Sequence, residues 1–140
     1  MAANNLLALD VGERRIGVAL ATSRARLASP FTTLDHTEDI YQKIRDILDQ
    51  QEVNRVVVGL PRNMHDQDTA QTAYVRRFAE GLRREIRTIA VEFQDEAETS
   101  RKAESELMAR KKPYTKGDID ALAATYILQD YLDQHAGGAL

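Results

Sequence analysis

Residues 6–20, LLALDVGERRIGVAL, set two short apolar runs on either side of a charged turn. The runs NLLALDV (5–11) and IGVALAT (16–22), joined by Gly12-Glu13-Arg14-Arg15, predict a β-hairpin. RLASPFTTL (26–34) extends it to a third antiparallel strand, with Pro30 confining that strand to an edge or interrupting it. VNRVVVGLP (53–61) is of another kind: near-continuous valine, stopped by Gly59 and Pro61, suits a strand buried on both faces, hence parallel or central. A sheet built from these runs must change from antiparallel to parallel pairing.

The rest of the chain supplies helices and one more strand. Thr37 opens a helical repeat of Ile40, Ile44, Ile47 and Leu48, and residues 69–86 put Tyr74 or Val75, Phe78, Leu82 and Ile86 on one helical face. TIAVEFQ (88–94) alternates as a strand; residues 97–110 read as a charged helix and KKPYTKG (111–117) as a basic loop. A last helix runs from about 118 to 135, followed by AGGAL (136–140) as a frayed tail. The order β-β-β-α-β-α-β-α-α predicts an α/β fold: a mixed five-stranded sheet, three antiparallel strands then two parallel, flanked by helices. Neither a repeat nor a linker divides the 140 residues, so one domain over 1–140 is expected. With no cysteine there is neither a disulfide framework nor a thiolate metal site, which suits a reducing compartment. The N-terminal MAANNLLALD lacks the basic and long apolar regions of a signal peptide, and no apolar run approaches a membrane span. A cytoplasmic protein without a membrane partner is expected. The net charge of −3 argues against a surface uniformly coated for polyanions, while leaving room for local basic patches.

Three acidic positions exceed what a core needs. Asp10 ends the first strand, Asp95 and Glu96 follow TIAVEFQ, and Asp120 lies near the start of the last helix. At about 100° per residue, Asp120 shares a helical face with Ala124, Ile127, Leu128 and Tyr131, so a charge heads an apolar stripe. Such a charge costs on the order of several kcal/mol unless paired or metal-bound. Asp118 lies roughly 200° around the helix from Asp120, and with Thr115 it has capping-box spacing. Each acid also has a structural reading: Asp-x-Gly is ordinary turn chemistry, Glu96 suits the first turn of a helix, and Asp95 suits an N-cap or a structural neighbour. Carboxylates on separate elements suit hard cations such as Mg²⁺ or Mn²⁺.

The basic residues fall in three places. Arg14 and Arg15 occupy the first turn, and Arg62 and Asn63 follow the strand end at Gly59, where a bare backbone admits a close-lying substrate. Arg110, Lys111, Lys112 and Lys116 surround Tyr114 just before Asp120, offering phosphate contacts and a stacking ring; a charge run of this kind is ordinarily a solvated loop. His36, His65 and His135 are scattered without ligand spacing and are expected at the surface.

Four stretches taken together, LLALDVGERRIGVAL, VVVGLPRNM with the helix AYVRRFAEGL, FQDEAETS, and DIDALAATYILQDYL, span nearly the whole chain. In that order they resemble the YqgF family, also called RuvX, nucleases on the RNase H-like fold of Holliday junction resolvases. The resemblance implies a catalytic and metal-binding set at Asp10, Glu96 and Asp120, with Asp118 as a further candidate ligand. It implies Mg²⁺ or Mn²⁺ as cofactor, a two-metal hydrolysis of phosphodiester bonds, and maturation of the 5′ end of pre-16S rRNA, with junction resolution as the alternative. Structured RNA is expected as partner ahead of branched DNA. Symmetric junction cutting needs a homodimer, whereas trimming an RNA end needs only a monomer. The chain departs from the family pattern at Ala21-Thr22, where Ser-Asp is usual, at Ala97 and Glu98, where arginine and leucine are usual, and at Asp66, where glycine is common. Those departures keep a non-catalytic nucleic-acid-binding module in play. An ATPase of the sugar-kinase type needs two lobes, and 140 residues provide one.

Overall fold

The computed structural model describes residues 5–22, 24–62, 67–96 and 99–135. Its strands are β1 (Asn5–Val11), β2 (Arg15–Thr22), β3 (Ser29–Asp35), β4 (Val53–Pro61) and β5 (Ala90–Glu96), and its helices are α1 (Ile40–Gln50), α2 (Ala70–Glu85), α3 (Thr99–Ala109) and α4 (Lys116–Gln134). They form one sheet in the order β3-β2-β1-β4-β5. β1–β2 and β2–β3 are antiparallel, whereas β1–β4 and β4–β5 are parallel. The predicted mixed sheet is therefore the observed one, and β1 is where pairing changes sense. Pro30 sits in β3 at the sheet edge, where a missing N–H costs no ladder bond, and the β2–β3 register shifts between Val18 and Ala19.

Helices cover both faces. Leu7, Leu9 and Val11 of β1 pack with Ile44 and Leu48 of α1 and Phe78 and Leu82 of α2. Leu6 and Ala8, on the opposite face, meet Ala124, Ile127, Leu128 and Tyr131 of α4. This is the apolar stripe that Asp120 was expected to head. Full burial of each of its large side chains contributes about 1.5–3 kcal/mol. α3 lies outside α4, held through Ala103, Leu107, Leu122 and Ala123. The far half of α4 is tied down by Arg26, which donates to the Leu132 carbonyl at 2.7 Å. Glu92 of β5 reinforces it, accepting from the Tyr131 hydroxyl and from Arg55.

Several boundaries differ from the sequence reading. α1 begins at Ile40 rather than Thr37, because residues 37–39 form a turn in which the Ile40 N–H donates to the Thr37 carbonyl at 3.1 Å. β5 runs to Glu96, so Asp95 and Glu96 belong to the strand instead of following it. α4 starts at Lys116, with Thr115 as N-cap in a capping box with Asp118. Among the described residues no helix is long and apolar enough to cross a membrane.

Candidate active site

β1, β4 and β5 run in one direction, so their C-terminal ends share one edge of the sheet, and the β1–β2 turn lies there too. Asp10 stands at that edge, paired in register with Gly17 of β2. Glu96, the last residue of β5, is in register with Pro61 at the end of β4. Asp120, in the second turn of α4, completes the group. The three acids line one open pocket of about 320 Å³ together with Arg15, Arg62, Gln71, Thr99 and Ser100. Residues more than a hundred positions apart thus meet at the mouth of the sheet.

Two glycines make the convergence possible. A Cβ on Gly17 would lie 1.9 Å from the Asp120 carbonyl oxygen, so only a bare backbone lets α4 settle onto β2 beside Asp10. A Cβ on Gly59 would come within 2.5 Å of Ile127 Cδ1 and 3.1 Å of Glu96 Oε1. The space at Gly59 is taken by the Glu96 carboxylate and by α4. It is not open for substrate backbone, which corrects the sequence reading of that glycine.

Electrostatics set the acids apart from surface carboxylates. Burial, then the charges of Glu96 and Asp120, push the Asp10 carboxyl up to about 8. Burial also raises Glu96, opposed by a hydrogen bond donated from the Thr99 hydroxyl at 2.5 Å. Asp120 is turned onto Arg15, whose Nε donates to Oδ2 at 2.6 Å. Partnered in this way, the acids do not close around one point, and among the described residues no group of three or more metal-ligating side chains does so. Arg62 stands within 3.4 Å of Asp68 and 3.6 Å of Asp95, so Asp95 is an exposed ion-pair partner, not a helix cap.

Other expected residues stand elsewhere. Arg14 is exposed and does not line the pocket, and its carbonyl accepts the His36 N–H at 2.8 Å. His36 also places Nδ1 2.8 Å from the Gly12 carbonyl and packs edge-on against Phe78, so this half-buried ring braces the first turn instead of lying free at the surface. Asp118 points away from the acids: its carboxylate accepts the Thr115 N–H at 2.9 Å, and the Thr115 hydroxyl accepts the Asp118 N–H at 3.1 Å. Lys112, Tyr114 and Asp118 line a separate cavity, and Lys111 and Lys116 are exposed near it. Asn63, His65, Asp66, Ala97 and Glu98 lie outside the described residues. The sequence reading missed Gly17, Gln71, Thr99 and Ser100. A glycine inside the strand IGVALAT was a signal of close backbone approach, and Thr99, three residues after Glu96, was in reach of it.

A family model described as "RuvX: Holliday junction resolvase" matches residues 4–134. The chain belongs to the RuvX family. A relative from Sulfurihydrogenibium sp. (strain YO3AOP1) is 36% identical over 132 residues, covering 94% of this chain and 91% of the relative. One from Chloroflexus aurantiacus is 44% identical over 132 residues, covering 91% and 86%. Both carry the provisional name pre-16S rRNA nuclease. Among solved structures, Thermus thermophilus RuvC bound to a Holliday junction matches with TM-score 0.59 at 17% identity, covering 97% of this chain and 98% of that one. The fowlpox virus resolvase with junction DNA matches with TM-score 0.56 at 12% identity, covering 93% and 97%. At such identities these likenesses establish the fold, and the RuvX chain has the RNase H-like arrangement of mixed sheet and helices.

Proposed function

We propose that this RuvX chain is a metal-dependent nuclease of the cytoplasm that hydrolyses phosphodiester bonds during 5′-end processing of pre-16S rRNA. Asp10, Glu96 and Asp120 are its catalytic residues. The observation that carries this reading is the meeting of these three carboxylates, from two strands and a helix, in one open pocket. Burial, and after it the repulsion of Glu96 and Asp120, leaves Asp10 protonated near neutrality when no cation is present, with its carboxyl pushed up to about 8. A fold that gathers like charges at such a cost needs a compensating charge.

The donor set fits a hard divalent cation, since all three acids offer oxygen and, among the described residues, no sulfur or histidine lines the pocket. Asp10, Glu96 and Asp120 would hold Mg²⁺ or Mn²⁺, which supplies a water of lowered pKa and neutralises the charge that develops on the leaving oxygen. The chain's own residues do the rest. Thr99 orients Glu96 through its hydroxyl, and Gln71 holds the end of β1 by donating to the Val11 carbonyl at 3.4 Å. Arg15 and Arg62 bring guanidinium groups to the pocket, where they bind substrate phosphates. Arg15 exchanges its contact with Asp120 for phosphate as substrate arrives. Asp118 serves the helix cap and is left out of the ligand set.

The family model's description and the resolvase folds favour a second reading, cleavage of four-way DNA junctions. One assay separates the two. Purified protein is offered a 5′-extended ribosomal RNA fragment and a four-way DNA junction, with Mg²⁺ or Mn²⁺, with chelator, and as Asp10→Asn. The RNA fragment is expected to be cut in a metal-dependent way that Asp10→Asn abolishes. Preferential cutting of the junction transfers the assignment to the second reading, and undiminished cutting by Asp10→Asn overturns the assigned centre.

A further inference from the structure

A second cavity, of about 250 Å³, lies on the other flank of the first turns of α4. Buried Leu107 and Leu122 give it an apolar wall, and Arg110, Lys112 and Tyr114 line it as well. The Tyr114 ring is held by packing against the cluster of Ala103, Leu107, Leu122 and Ala123, while part of it stays exposed. A ring fixed in this way makes a stacking platform that needs little ordering when a base arrives. Asp118 also lines the cavity, with its carboxylate engaged in the helix cap.

The charge here is available. Arg110 pairs with Glu106 at 2.7 Å, but Lys111, Lys112 and Lys116 make no ion pair with the described residues. Lys111, two residues past the end of α3, lies in the left-handed region, with φ 58°. Glycine would take that conformation at less cost, and this chain places a cation there. The two cavities are separated by α4, roughly a helix width or ~10 Å. That span is about three nucleotides of a stacked strand.

We propose that this cavity receives an unpaired base of the nucleic-acid substrate, stacked on Tyr114 with adjoining phosphates on Lys112 and Lys111. The chain then selects structured substrates that carry a single-stranded extension beside the cleavage point; a fully paired four-way junction offers no such base. This rests on the nuclease reading of the acidic pocket.

The test measures binding by fluorescence anisotropy in chelator, so that no cleavage is required. The probes are a labelled RNA hairpin with a short single-stranded 5′ extension and the same hairpin made blunt. Tyr114→Ala is expected to weaken binding of the extended hairpin about tenfold, to leave the blunt hairpin unchanged, and to be rescued by Tyr114→Phe. Lys112→Ala, at an exposed position, is expected to reduce the salt dependence on the extended hairpin by about 0.7 in the log–log slope. It carries the same test if Tyr114→Ala fails to fold. Equal losses on both hairpins, or none on the extended one, overturn the proposal. If Asp10→Asn still cleaves, the nuclease centre is misassigned whatever the anisotropy shows, so the two failures are told apart.

Discussion

Two pockets flank the start of α4, and they are built in opposite ways. The acidic one collects Asp10, Arg15, Arg62, Glu96, Thr99 and Asp120 from β1, β2, the end of β4, β5, α3 and α4. Apart from Pro30, the basic one is lined by residues between Leu107 and Leu122, a helix end, a turn and a helix start in succession. One depends on the whole sheet register; the other travels with a short piece of sequence. The first should therefore fail whenever packing fails, whereas the second should respond mainly to changes in its own side chains.

The largest expected effect comes from the contact that assembles the acidic pocket. Gly17→Ala drives a Cβ into the Asp120 carbonyl, 1.9 Å away. It is expected to cost about 3 kcal/mol or more, which thermal unfolding would record as a drop of roughly 10 °C. A Tm within a degree or two of wild type would mean that α4 does not rest on β2 as described.

Next comes the charge on Asp10. In the unfolded chain its carboxyl titrates at about 4, while in the fold it is pushed up to about 8. Through that window the unfolded state has lost the proton and the folded state still holds it, so metal-free stability falls as pH rises. Asp10→Asn removes this loss. Its metal-free Tm is expected to exceed that of wild type by at least about 3 °C at pH 8, with the gap closing towards pH 4. A gap that widens on acidification would show that burial and like charge do not dominate at Asp10.

Cation binding sharpens the same contrast. Millimolar Mg²⁺ or Mn²⁺ is expected to raise the wild-type Tm at neutral pH by roughly 4 °C, as about 1.4 kcal/mol of linkage at a tenfold excess over Kd implies. Glu96→Gln should abolish most of the shift, and Asp118→Ala should keep it. Loss of the shift in Asp118→Ala would return Asp118 to the ligand set.

The smallest effect belongs to the basic side. Asp118→Ala breaks the capping box with Thr115, at an expected cost of about 1 kcal/mol. Differential scanning calorimetry should find the decrease of roughly 3 °C that follows from it.

Much of this was legible without coordinates. The hairpin at 5–22, the buried valine strand, the capping box at Thr115 and the apolar face below Asp120 are written in spacings of two, three and four residues, which local geometry dictates. The candidacy of Asp10, Glu96 and Asp120 came from the same spacings together with the family resemblance. The placement of the cations was not legible. KKPYTKG precedes Asp120 by a few residues, yet α4 turns Asp118 and Asp120 to different flanks, so nearness in sequence did not become nearness to the acids. Arg15 and Asp120 are separated by 105 positions, and no local rule joins them.

The sequence by itself determined the order of the elements, the change from antiparallel to parallel pairing, and which residue types were available for chemistry. Those features follow from backbone sterics and from alternation of apolar and polar side chains over a few residues. Only the tertiary structure decided that Gly17 and Gly59 are spaces for α4 and Glu96, that Arg15 grips Asp120, and that the basic loop opens onto a cavity of its own. Such outcomes depend on strand register and on helix seating, which are set by packing across the whole core and have no signature at any single position.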